Sequence, residues 1–128
     1  MNPLTLEWID KAEGDFATSE REVVVTDKPN YDAVCFHCQQ CAEKYLKAVL
    51  QEAGIPFPRT HDLSVLLTLI LPLKPQWQFL QPLLNLLTDY AVQYRYPGES
   101  ADLQEAQDAK TACDQVRTTV RNDFGLPV

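Results

Sequence analysis

The chain has 128 residues, the size of one compact domain, and its 45% hydrophobic and 23% charged residues are ordinary values for a soluble globular protein. A formal net charge of -7 argues against a broad electrostatic grip on nucleic acid or anionic membrane, and leaves room only for a local basic patch. No N-terminal segment joins a basic start to an apolar core, and the longest apolar run, Leu63 to Leu73, is interrupted by Ser64 and Thr68 and too short for a bilayer. A cytoplasmic protein with no membrane contact is expected.

The pattern is helical throughout. From Leu4 to Val23, Ile9, Ala12, Phe16, Glu20 and Val23 recur at helical spacing and predict a first amphipathic helix, ended by the breakers Asp27, Lys28, Pro29 and Asn30. Asn30 is placed to cap a second helix with Tyr31, Cys35, Ala42, Tyr45, Leu46, Val49 and Ala53 on one face. Gly54 stops it, and Ile55-Pro56-Phe57-Pro58 prevents continuation.

Thr60 or Asp62 then caps a short third helix from Leu63 to about Leu71, closed by Pro72 and Pro75. A fourth helix is expected from about Gln76 to Tyr94, with Trp77, Leu80, Leu84, Leu87, Ala91 and Tyr94 in one stripe. Pro82 falls inside it and predicts a kink or a delayed start. After the turn Pro97-Gly98-Glu99-Ser100, a fifth helix of about Ala101 to Asn122 turns Ala106, Ala109, Cys113, Val116, Val120 and Phe124 inward, with Asp102 and Glu105 as a capping-box-like start. Long helices on short connections predict an all-α fold, an antiparallel up-and-down bundle of four long helices plus one short. No repeat or long linker divides residues 1–128, so a single domain is expected.

Four cysteines, Cys35, Cys38, Cys41 and Cys113, are read as small buried hydrophobes. At about 100° per residue Cys41 is rotated far from Cys35, and a closed tetrahedral site would need ligands from elsewhere, so no metal or other cofactor is expected. A reducing compartment also disfavours disulfides.

The second helix carries more than an apolar stripe. Gln39, Gln40, Glu43 and Lys47 run along one edge of it. Glu43 and Lys47 stand in the favourable order for a helix pair and read as solvated; Gln40 reads as exposed, and Gln39 as near the apolar side, where its amide needs partners. Arg95 follows Tyr94 and precedes Tyr96 at a helix C-terminus, where a cation is favoured by the helix dipole and by aromatic faces. His61 beside Asp62 reads as a loop-fixing or capping group with a second use as an acid–base pair, and His37 as a surface residue. Trp8 and Trp77 read as core or interface anchors.

Four segments in register resemble the HEPN family (higher eukaryotes and prokaryotes nucleotide-binding). They are Ala12 with Asp15-Phe16, the stretch Phe36 to Leu50 with Gln39-Gln40, Glu43 and Lys47, then Thr60-His61-Asp62-Leu63, and finally Tyr94-Arg95-Tyr96-Pro97. The resemblance implies a helical bundle that dimerises, a minimal nucleotidyltransferase as partner in a toxin–antitoxin pair, and a nucleotide or RNA ligand. Many HEPN proteins are metal-independent ribonucleases that pair an arginine with a histidine a few residues further on. Arg95 matches the arginine, but Tyr96-Pro97-Gly98-Glu99-Ser100-Ala101-Asp102 supplies no histidine.

That histidine matters because imidazole titrates near neutrality and can take a 2′-hydroxyl proton, whereas arginine stays protonated and only stabilises charge. Arg95 alone is half a site, which His61 or His37 completes only if folding brings one beside it. The favoured expectation is therefore a nucleotide- or nucleic-acid-binding companion protein that uses Gln39, Gln40, Glu43, Lys47, Tyr94 and Tyr96. The alternatives are an endoribonuclease with a non-standard site around Arg95, and a helical scaffold without ligand.

Overall fold

The computed structural model describes residues 1–94 and 96–128. Five α-helices and no strand are found among them: α1 (Pro3–Val23), α2 (Tyr31–Ala53), α3 (Leu63–Ile70), α4 (Gln81–Gln93) and α5 (Leu103–Phe124). None is long and apolar enough to cross a membrane.

The helix ends are set by local chemistry. Asn2, Asn30, Asp62 and Asp102 each accept a backbone N–H of the first turn through the side chain, and Asp102 with Glu105 forms a reciprocal capping box. Asp62 caps α3, while the Thr60 hydroxyl accepts from the Asp62 N–H one step earlier. Gly54 and Gly125 end α2 and α5 at φ 69° and 72°, a left-handed conformation that a Cβ would strain. The expected fourth helix is divided: Pro75–Leu80 forms a 3-10 helix, and α4 begins at Gln81. Pro82 thereby sits in the first turn, where its missing N–H leaves no hydrogen bond unmade.

Side-chain pairs give the directions. Asn2 N–H and the Thr5 hydroxyl both donate to Glu52, joining the start of α1 to the end of α2. Asp32 accepts from the Ala101 N–H while Tyr45 meets Arg121, so α5 runs alongside α2 in the same sense and opposite to α1. α4 ends at Tyr94, whose hydroxyl donates to Glu105 near the start of α5. The long helices thus alternate up and down.

α2 is the axis and packs against each of the other four helices. Its inner face, with Val34, Tyr45, Leu46 and Leu50, meets Leu63, Leu66, Leu67, Ile70, Leu80, Leu84 and Leu87 in one core. The buried line of α1 differs from the apolar stripe expected. Glu20 is exposed and pairs with Lys110, whereas Thr5, Asp15 and Ser19 are buried. Those small or paired polar groups let α1 lie close to α2 once each has a partner. Cys35, Cys38, Cys41 and Cys113 are free and buried, and burial pushes the Cys35 thiol up to about 12.

Candidate functional site

At about 100° per residue, positions 39, 40, 43 and 47 share one arc of α2. Glu43 lies at its centre and is 3% exposed. Its Oε1 accepts from Gln39 Nε2 at 3.2 Å and lies 3.0 Å from His61 Nδ1; its Oε2 accepts from Lys47 Nζ at 3.0 Å. Gln39 also donates to the His61 carbonyl at 2.9 Å, and Gln40 Nε2 donates to Gln39 Oε1 at 2.8 Å. A buried carboxylate is tolerated only when charge and lone pairs are matched in this way.

Two readings of the helix edge therefore change. Glu43 and Lys47 form a buried pair rather than a solvated one, because the loop before α3 folds over them. Gln40 is half-buried rather than exposed, its amide turned toward Gln39 and Glu43.

His61 turns Nδ1 toward Glu43, and its side chain is 70% exposed. A cleft of about 560 Å³ is lined by Trp8, Lys47, Phe57, Arg59, Thr60 and His61. The Trp8 and Phe57 rings meet edge to face with centroids 6.1 Å apart, and Lys47 Nζ lies 5.4 Å from the Trp8 centroid. Arg59 is exposed, with no ion-pair partner among the described residues. Trp8 also borders a second, smaller recess with Leu4, Glu7, Lys11 and Gln51.

A separate cleft of about 340 Å³ lies between the first turns of α2 and the end of α4, lined by Asn30, Asp32, Phe36, His37, Tyr90 and Tyr94. His37 is half-buried rather than a plain surface residue: Nδ1 lies 2.8 Å from Asp15 Oδ1, and Lys44 Nζ holds the other Asp15 oxygen at 2.6 Å. The Tyr90 and Tyr94 rings are 5.8 Å apart. Burial, then the hydrogen bond to Glu105, holds the Tyr94 phenol above its ordinary value. Tyr96 is 65% exposed, and Arg95 lies outside the described residues.

Gln39, Gln40, Glu43, Lys47 and His61 are thus brought together, while Tyr94 lines the other cleft on the same helix. Trp77 is a core residue, but Trp8 is a cleft wall. Phe57 and Arg59 escaped the sequence reading. The only signal for them was the pair of prolines flanking Phe57, which holds an aromatic out on an extended segment.

A family model of the HEPN domain matches residues 5–123. The chain belongs to the HEPN family. The crystal structure of an archaeal HEPN homologue is similar at a TM-score of 0.70 and 25% identity, over 93% of this chain and 96% of that chain. No curated protein matches the chain significantly. In this HEPN chain the segments that carried the resemblance have physical roles: Asp15 holds His37 and Lys44, Glu43 holds Lys47 and His61, and Asp62 caps α3.

Proposed function

We propose that this HEPN protein acts by binding, as a single-domain homodimer that contacts a nucleotide or nucleic acid and serves as the toxin-like companion of a minimal nucleotidyltransferase. The observation that carries the reading is the convergence of Gln39, Gln40, Lys47 and His61 on the buried Glu43 carboxylate beside an aromatic, cation-lined cleft. Glu43 fixes where the ammonium and imidazole point, so donors for an anionic group are placed before a ligand arrives. Isolating the protein from its native host and titrating it with nucleotides and single-stranded RNA tests this. A nucleotidyltransferase in the complex and saturable binding are expected. A lone chain with no affinity for any of these ligands contradicts it.

A second reading, an endoribonuclease built around Arg95, is favoured by one observation. His37, fixed at Nδ1 by Asp15, lines the same cleft as Tyr94, the residue that precedes Arg95. A histidine oriented by a buried carboxylate can accept the 2′-hydroxyl proton as the oxygen attacks the adjacent phosphorus. Water protonates the expelled 5′-oxygen, leaving a 2′,3′-cyclic phosphate. Induced expression of wild type, Arg95→Ala and His37→Ala, with RNA integrity followed over time, tests it. Loss of cleavage in both variants supports this reading; unchanged cleavage in either removes that residue from the chemistry.

A further inference from the structure

The cleft beside Glu43 contains more than that cluster. Trp8 from α1, Lys47 from α2, and Phe57, Arg59 and His61 from the connection into α3 form its walls. Lys11, three residues after Trp8, lines a second recess that the same indole borders. Three of the lysine and arginine residues of a chain with 11 such residues against 18 acids therefore gather around one tryptophan. The acids nearby are Glu43, matched by Lys47 and His61, Glu7 in the recess, and Asp62, which caps α3.

Elsewhere most cations are matched by carboxylates within the chain: Lys44 by Asp15, Lys74 by Asp123, Lys110 by Glu20 and Asp114, and Arg117 and Arg121 by Glu13. Arg59 has no such partner among the described residues and stands at the mouth of the cleft. An unpaired arginine that shares a cleft with two aromatic rings is suited to a ligand that is planar and anionic at once.

We infer that the Trp8–Phe57–Arg59 cleft binds a nucleoside monophosphate, its base against the aromatic wall and its phosphate on Arg59, with His61 and Lys47 at the side. This rests on the binding function proposed above and narrows its ligand from a nucleotide or nucleic acid to a mononucleotide. Two features select the smaller ligand. The volume of about 560 Å³ falls in the range of roughly 300–1,000 Å³ typical of small-molecule sites. The net charge of -7 repels a long polyanion, whereas a single phosphate meets only the local cations.

Calorimetric titration of the full chain with adenosine and guanosine 5′-monophosphates, the free nucleosides, inorganic phosphate and a single-stranded RNA oligomer separates the outcomes. Both monophosphates are expected to bind, nucleoside and phosphate alone each at least ten-fold more weakly, and the RNA no more tightly per site. Arg59→Ala weakens the monophosphate roughly ten-fold or more, Arg59→Lys less, and Arg21→Ala, a remote exposed arginine, leaves it unchanged. Trp8→Phe retains the affinity better than Trp8→Ala. Tight RNA binding without mononucleotide affinity overturns this inference and leaves the broader function standing; no binding of any ligand overturns both. Equal affinity in wild type and Arg59→Ala removes the cleft as the site.

Discussion

Glu43 and His61 belong to different elements, yet the buried carboxylate of one lies 3.0 Å from the ring nitrogen of the other, so a single side chain of α2 fixes the loop that leads into α3. The same carboxylate neutralises Lys47, 7% exposed. Packing and site are thus one arrangement. Helix α2 presents charge where a solvated face would ordinarily stand, and the loop shuts water out of it.

Removing one partner of that pair leaves the other buried and uncompensated. Glu43→Ala is expected to lower stability by about 3–5 kcal/mol, whereas Glu43→Gln combined with Lys47→Met recovers much of the loss. Urea unfolding of the single and double variants measures both, and additive losses would separate the two residues.

Tyr45 is fully buried, with its hydroxyl donating to Glu13 at 2.6 Å and accepting from Arg121 at 3.0 Å. Tyr45→Phe deprives two charged groups of a partner while keeping the ring, so a loss of about 1–3 kcal/mol is expected, without a change of fold. Thermal unfolding and circular dichroism report it.

The pH dependence follows from Glu13. The Arg117 guanidinium, at 2.8 and 2.9 Å, holds its carboxyl below the ordinary 4.5, against the opposing effect of burial. A depressed folded-state value means stability that is present above the unfolded value and lost as pH falls through the folded one. The wild type is therefore expected to lose stability on acidification below about 4.5, and Glu13→Gln to be less stable at neutral pH with a flatter acid limb. Parallel acid titrations of the two would contradict this.

Contact with the Cys113 thiol, then burial, pushes the Cys38 and Cys41 thiols above their ordinary value, as burial does for Cys35. Native protein is expected to react with a thiol reagent only as fast as it opens, and four thiols to appear at once in denaturant. Rapid labelling of the folded chain would place at least one of them at the surface.

What the sequence revealed divides along a physical line. Asn30, Asp62, Asp102 and Gly54 act within their own turn, so their roles could be read from neighbours alone. Pro82 announced a break but not its form, because a 3-10 segment and a kinked helix satisfy the same missing N–H. The spacing of Glu43 and Lys47 was legible; their burial was not, since it depends on a loop 18 residues away in sequence from Glu43. Trp8, Phe57 and Arg59 meet only after α1, α2 and the loop have packed, and no local pattern could join them. Asp15 and Ser19 were hidden likewise: a buried polar residue looks solvated until its partner, His37 and Lys44 for Asp15, is known.

The most direct test of the binding reading is a map of NMR shift changes on the full chain as a nucleoside monophosphate is added. The account predicts changes that saturate together at the Trp8 indole, the Arg59 and His61 signals and the amides of Thr60 and Asp62, with Tyr90 and Phe36 unmoved. Changes centred on Phe36, Tyr90 and Tyr94, or a spectrum that does not respond at all, would contradict it.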